Sequence, residues 1–188
     1  MEEDQIILKL EKMLDKIRLK HSLDVAKKAV ELAQIYKADT HKAYIAGLLH
    51  DCAKCIDGKI LLKIAKKHNI KMDPIFAVQP KLLHSHVSAI HARTIFGIKD
   101  NDILNAIASH TIGHTQMTLL EKIIYVADHI EPGRRHEHVK LSRKLAKKSL
   151  DKAIANISSE MIKYLLEHKL PVYELTLSTR NFYLLTNK

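Results

Sequence analysis

The chain has 188 residues, of which 46% are hydrophobic, enough to build the core of one ordinary domain. Lys and Arg outnumber Asp and Glu by 31 to 21, and the resulting charge of +10 attracts polyanions without distinguishing a nucleotide from a nucleic acid. No apolar run approaches the roughly 20 residues of a membrane span, and the first residues are acidic where a signal peptide is basic. We therefore expect a cytoplasmic protein without a membrane partner. The lone Cys52-x-x-Cys55 lacks the surroundings of a redox or zinc motif.

The composition favours helices over strands, because Gly and Pro are scarce, at 5 and 4 residues, and Trp is absent. Apolar residues at helical spacing predict an all-α fold in one compact domain, with core motifs in 18–134 and C-terminal helices in 139–185. Loops are expected where Pro and Gly cluster. The helices are predicted at approximately 2–16, 22–37, 40–53, 59–68, 86–96, 101–111, 118–130, 139–168 and 178–185.

Polar residues interrupt three of these helices on the sides that should face the core. In AYIAGLLHDCAK, His50 and Asp51 follow seven residues without a charge. His110 lies three and seven residues after isoleucines, and Asp128 lies four residues after Ile124, so both share an inward face. Burying such groups requires compensating partners. Together they suggest one buried polar centre.

Imidazole and carboxylate groups in one place are typical ligands of Fe, Mn, Co or Zn. A cation would also offset the cost of burying Asp51 and Asp128. The alternative for any single histidine is a structural role, in which its ring caps a helix or bonds a backbone carbonyl. The joint pattern favours a metal site.

In chain order these residues read His21, His50-Asp51, His84, His110 and Asp128. This order resembles that of the HD-domain metal-dependent phosphohydrolases. The stretches RLKHSLDVA, AGLLHDCAK, HTIGHTQMTLLEKIIYVADHIEPGR and LPVYELTLSTRN are similar to the bacterial YqeK family, whose members are symmetrical diadenosine tetraphosphate hydrolases. The resemblance implies a helical HD-domain fold and conversion of the dinucleotide and water into two ADP.

The resemblance also implies a set of site residues. Asp51 would bridge the ions of an iron-containing, two-metal centre, with Mn, Co or Zn as other metals, and would act in catalysis together with Lys54. The implied metal ligands are His21, His50, Asp51, His84, His110 and Asp128. The expected contacts to substrate phosphates are Arg18, Lys54, Thr111, His114 and Arg134.

Two positions depart from the family pattern. The third histidine segment reads HSHVSAIHA, with Ser88 in place of the usual glycine, so His86 or His91 competes with His84 as the ligand. His114 stands where the family often has Arg, which puts a phosphate contact there in doubt. His110 and His114 also have the spacing of a helical zinc motif, although the glycine between them argues against a continuous helix.

Two rival functions remain open from the sequence. Another HD-type nucleotide phosphatase or phosphodiesterase would use the same ligand pattern. A basic helical RNA-binding protein would hold no tight metal and would bind with a steep salt dependence. Aromatic residues make up only 5% of the chain and offer little stacking surface, so nucleic acid is disfavoured as a partner. The sequence is compatible with a homodimer.

Overall fold

The computed structural model describes residues 2–135 and 137–186, and within these ranges it contains helices and loops without a strand. The predicted all-α fold is therefore confirmed. A 3-10 turn spans Pro80–Leu83. The α-helices are α1 Glu3–Met13, α2 Lys16–Tyr36, α3 Thr40–Leu49, α4 Gly58–Lys67, α5 Ile75–Val78, α6 His84–Thr94, α7 Asn101–Ser109, α8 Leu119–Ile130, α9 Val139–Ala146, α10 Leu150–Glu167 and α11 Glu174–Leu185.

Helix α8 is the central element of the fold. It packs against α2, α3, α7, α9 and α10. Its residues 123–127 are fully buried, as expected for a helix that is apolar on every side. Thr118 and Glu121 form a capping box at its first turn, which satisfies backbone donors that would otherwise be buried without partners. The polar side chains Glu121 and Asp128 on this helix are accordingly buried.

Helices α2 and α3 approach each other closely at Gly47. A Cβ atom at this position would lie 2.8 Å from the Cα of Ala26, a separation that real side chains do not show. Glycine inside a helix costs about 1 kcal/mol relative to alanine. That cost is offset here by close packing, which sets the spacing between the two helices.

Several predicted helix boundaries were wrong. The helix predicted over 139–168 is two helices, because Ser149 leaves the helical conformation and accepts a hydrogen bond from Lys152 N at 3.2 Å. Helix α2 begins at Lys16 rather than 22, where Asp15 caps its first turn. The last helix begins at Glu174 rather than 178. The segment expected to be a loop around Pro74 and Pro80 forms α5 and the 3-10 turn.

The loop that follows α8 is tied to α9 by Arg143. Its guanidinium donates to the carbonyl oxygens of Ile130 at 2.9 Å, Glu131 at 2.6 Å and Arg134 at 3.1 Å. These carbonyls belong to the C-terminal end of α8 and the turn after it, where helical partners are missing. Arg143 thus fixes the chain next to Asp128. None of the helices in the described part of the chain is both long and apolar enough to cross a membrane.

Candidate metal centre

Five structural elements bring the six predicted ligands together. His21 lies on α2, His50 caps the C-terminus of α3, and Asp51 is in the turn that follows. His84 begins α6, His110 caps the C-terminus of α7, and Asp128 lies in the last turn of α8. All except His21 are buried. The polar centre predicted from the apolar flanks of these residues is therefore present.

One carboxylate oxygen of Asp51 faces two histidines. Oδ1 lies 3.1 Å from His84 Nε2 and 3.4 Å from His110 Nε2, and these two nitrogens are 3.2 Å apart. We call Oδ1 and these two rings the Oδ1 side. This buried oxygen accepts no hydrogen bond from the described residues, and the ammonium of Lys54 lies 3.5 Å from it. An anionic oxygen in such a position needs a cation.

The other oxygen of Asp51 faces a second group of ligands, which we call the Oδ2 side. Oδ2 is 3.8 Å from the Nε2 atoms of both His21 and His50. Asp128 Oδ1 lies 3.0 Å from His21 Nε2 and 3.9 Å from His50 Nε2. Asp51 thus stands between the two groups with one oxygen toward each, as a carboxylate that bridges two ions would.

The ligand atoms have the spacing that a metal ion requires. Three overlapping groups have ligand atoms within 4.8 Å of one another. Bonds of about 2.0 to 2.2 Å to one ion place neighbouring ligand atoms roughly 3 to 4 Å apart. The residues present therefore fit a divalent transition metal. The three groups are His21, His50 and Asp51; His50, His110 and Asp128; and Asp51, His84 and His110.

The protonation states also suit metal binding. Burial alone would raise the pKa values of Asp51 and Asp128, but the facing imidazoles outweigh burial and hold both pKa values well below 3.8. Burial lowers the pKa of His50 to about 3. Two anionic carboxylates and a neutral imidazole are the forms that ligate metals.

The ligand histidines are oriented in two different ways. His50, His84 and His110 each direct Nδ1 to the carbonyl three residues earlier, at 2.6, 2.5 and 2.7 Å. These contacts turn Nε2 toward the cluster. His21 instead directs Nδ1 to Glu131 Oε1 at 3.2 Å. A partner on the far ring nitrogen fixes the tautomer and makes a histidine a better ligand.

Glu131 is a neighbour of the cluster that the sequence reasoning missed. It is only 4% exposed, and it also accepts a hydrogen bond from Gly133 N. A Cβ on Gly133 would lie 2.9 Å from a carboxylate oxygen of Glu131, so a larger residue there would displace the end of that side chain. The signal was present in DHIEPGR, because an acid three residues after Asp128 lies on the same helical face.

Four of the five predicted phosphate contacts lie next to the cluster. Lys54 Nζ is 2.9 Å from His84 Nε2, and Thr111 Oγ1 is 3.0 Å from the same atom. Arg18 Nη1 is 3.5 Å from Asp51 Oδ2. Arg134 Nη2 donates to Asp128 Oδ1 at 2.6 Å. Each side of the cluster therefore has its own basic residues, with Lys54 beside the Oδ1 side and both arginines beside the Oδ2 side.

The structure does not bring His114 to the cluster. Its Nε2 bonds Glu121 Oε1 at 2.8 Å, and the ring faces a separate cavity of about 450 Å³ that His86 also lines. Helix α7 ends at Ser109, so His110 and His114 do not share a helix. The phosphate contact predicted for His114 stays a prediction.

The structure distinguishes the competing third histidines by position. His84 faces Asp51, whereas the ring of His86 packs edge-on against Phe76 with centroids 6.2 Å apart. His91 Nδ1 is buried without a hydrogen-bond partner among the described residues, and His91 is absent from the ligand groups found there. The geometry favours the original assignment of His84.

Comparison with known proteins agrees with this geometry. The HD domain family matches residues 18–133. Over 175 residues, the chain is 39% identical to a protein of Staphylococcus aureus named "Bis(5'-nucleosyl)-tetraphosphatase, symmetrical", covering 92% of this chain and 89% of that protein. A protein of Bacillus subtilis with the same name is 35% identical over 97% of both chains.

A solved structure has the same fold. The crystal structure of a predicted HD superfamily hydrolase involved in NAD metabolism, from Clostridium acetobutylicum, superposes with a TM-score of 0.96. The two sequences are 40% identical, and the match covers 100% of this chain and 99% of the other. The likeness therefore includes the C-terminal helices as well as the ligand-bearing core.

Proposed function

The chain belongs to the YqeK family of HD-domain proteins, and we propose that it hydrolyses diadenosine tetraphosphate symmetrically, into two ADP, at a divalent metal centre. The single observation that carries the proposal is the position of Asp51 between two groups of ligands, one at each carboxylate oxygen. The names of the relatives supply the substrate. We further propose two ions, held by His21, His50, Asp51, His84, His110 and Asp128.

The reaction breaks the bond between one of the two central phosphorus atoms and the oxygen that joins them. The oxygen of a water molecule forms the new bond to phosphorus, and the departing ADP keeps the bridging oxygen. A bound divalent cation supplies Lewis acidity and activates water for this attack. The chain's own side chains must hold the polyphosphate in line and neutralise the charge that develops on it.

We assign these tasks to the basic residues beside the cluster. Arg134 is 36% exposed at its side chain while it contacts Asp128, so its remaining donors are available to a phosphate oxygen. Arg18, 38% exposed, is placed similarly beside Asp51. Lys54 and Thr111 lie beside His84, where an ammonium and a hydroxyl would contact the phosphate on the other side. The catalytic role of Lys54 is to neutralise the leaving oxygen.

The family resemblance implies iron, and Mn, Co and Zn share its preference for imidazole and carboxylate ligands. Elemental analysis of protein purified without added metal tests this assignment. We expect iron at close to two ions per chain. One ion per chain would contradict the two-metal centre, and zinc alone would contradict iron.

A product assay tests the function. Purified protein is incubated with diadenosine tetraphosphate, diadenosine triphosphate, cyclic dinucleotides and AMP, and the products are separated by ion-exchange chromatography. We expect ADP as the sole product of the tetraphosphate and the highest kcat/KM for that substrate. ATP with AMP would show asymmetric cleavage, and faster release of phosphate from AMP would favour a nucleotide phosphatase.

Two further expectations remain predictions. Analytical ultracentrifugation of the holoenzyme tests the homodimer, and fractionation of the source cells tests the cytoplasmic location. A basic RNA-binding protein would be favoured instead by a metal-free preparation whose affinity for RNA falls steeply with salt.

A further inference from the structure

A cavity of about 440 Å³ lies beside the Oδ2 side of the cluster, between the end of α8, α9 and α10. Its volume is within the range of roughly 300 to 1,000 Å³ that is typical of small-molecule sites. Arg134 lines it, and the same guanidinium reaches Asp128 Oδ1 at 2.6 Å. The cavity is therefore adjacent to the ligand cluster, and Arg134 contacts both.

One wall of the cavity is apolar and flat enough for a base. Ile157, Met161 and Tyr164 follow one another at spacings of four and three residues on α10, so they share one face of that helix. Tyr164 is 54% exposed and lines the cavity, and its ring packs on that of His168 with the centroids 4.0 Å apart. Aromatic and apolar side chains of this kind stack on nucleic bases.

The opposite wall supplies hydrogen-bond acceptors. His129 Nδ1 donates to the Tyr125 carbonyl at 2.8 Å, so the neutral ring presents Nε2 as an acceptor. Nε2 has no hydrogen-bond partner among the described residues, and the ring lines the cavity. Glu160 lines the cavity too, and its carboxylate pairs with His138 at 3.0 Å. Exocyclic amino groups and ribose hydroxyls are the donors that such acceptors bind.

We propose that this cavity is the subsite for one nucleoside of the substrate, with the base against Met161 and Tyr164, a donor group on His129 Nε2, and the adjoining phosphate on Arg134. The proposal rests on the proposed nucleotide hydrolysis. It adds a location and a set of contacts for the adenosine.

The test compares two tryptophan substitutions on the same helix. Met161→Trp fills the cavity, whereas Lys163→Trp adds the same side chain at an exposed position that does not line it. Binding of ADP to the metal-loaded protein is measured by titration calorimetry. We expect Met161→Trp to weaken ADP binding by about tenfold or more, since one misfitting group in a pocket changes affinity by roughly 10 to 200 fold. Lys163→Trp should bind ADP like the parent.

Inorganic tripolyphosphate provides the second measurement, because it has phosphates and no nucleoside. Its inhibition constant should be the same in both variants and the parent. Tyr164→Ala, at a half-exposed position that does not hold the core together, should weaken ADP binding several-fold with an unchanged melting temperature. Equal ADP affinity in the parent, Met161→Trp and Tyr164→Ala would overturn the subsite, as would equal weakening of ADP and tripolyphosphate.

The outcome separates the subsite from the proposed function. If the parent binds ADP in this cavity but does not cleave diadenosine tetraphosphate, the function is wrong and the subsite stands. If the parent cleaves the dinucleotide and Met161→Trp leaves both KM and ADP affinity unchanged, the subsite is wrong and the function stands.

Discussion

The two sides of the ligand cluster share Asp51 but are built differently. On the Oδ1 side, both histidines are oriented by carbonyls of their own helical turns. On the Oδ2 side, His21 depends on Glu131, which lies 110 residues later in the chain. Local chain geometry therefore sets the ring orientation of both histidines on the Oδ1 side, as it does for His50. The other side is complete only when α2 packs against α8 and the loop after it.

The largest effect is expected for Asp51→Ala, which removes the ligand common to both sides. Hydrolysis should fall below detection and metal content should fall sharply, because the Oδ1 side keeps only two imidazoles and the Oδ2 side keeps a single carboxylate, Asp128. The measurements are activity and elemental analysis. His50→Ala should behave similarly. Asp102→Ala is the control, since Asp102 pairs with Lys42 at the surface. Full metal content in Asp51→Ala would contradict the bridging role.

The next effect is expected for His84→Gln, which breaks the Oδ1 side alone. Partners in the second coordination shell are typically worth 10 to 100 fold in metal affinity or activity, and a direct ligand should cost more, at least about 100-fold in kcat. About one ion per chain should remain, held by the Oδ2 side. His91→Gln is the matched control. If His91→Gln were inactive and His84→Gln active, the third ligand would be misassigned.

A smaller effect is expected for the basic residue of each side. Lys54→Met and Arg134→Met should each lower kcat/KM by about 10 to 100 fold, because a charge-assisted hydrogen bond is worth about 1.5 to 3 kcal/mol. Metal content should not change, since neither a guanidinium nor an ammonium offers a lone pair to a metal. For adenosine substrates with fewer phosphates, kcat/KM should fall less in both variants. Rates within about twofold of the parent would exclude a phosphate contact. Loss of metal would indicate that the replaced residue holds the ligands in place.

The smallest effect is expected for Glu131→Gln, which tests whether Glu131 supports the Oδ2 side alone. Glutamine keeps an oxygen near His21 Nδ1 but loses the charge, so affinity for the ion on the Oδ2 side should fall about tenfold, at the low end for second-shell partners. Metal titration into the apoprotein should show one weakened site and one unchanged site. Equal weakening of both would contradict the assignment of Glu131 to a single side.

Glu121→Gln provides the control for that experiment. Glu121 is also buried and is also paired with a histidine, His114, at 2.8 Å, but it lies in the first turn of α8. It contacts none of the ligand groups and completes the capping box at the first turn of α8. Its loss should therefore lower the melting temperature with both metal affinities unchanged.

The sequence predicted which residues meet in the buried centre better than it predicted their surroundings. His50, His110 and Asp128 were recognisable because polar groups inside apolar helices need a shared partner. The contact of Lys54 with His84 was not predictable, because it depends on how α6 lies against the turn after α3. The break before Ser149 was missed since Lys147 and Lys148 are good helix formers. The early start of α2 was visible in Asp15, a favourable helix cap.

Gly47 has two roles in the structure, one in the packing of two helices and one in the orientation of a histidine of the cluster. Its missing side chain lets α2 and α3 touch, and its carbonyl accepts the hydrogen bond that orients His50. Filling this helix position with alanine, a common route to a more heat-resistant enzyme, would move apart the helices that carry His21 and His50. Heat resistance and metal affinity are therefore coupled at this residue, and a more thermostable variant must obtain its stability elsewhere.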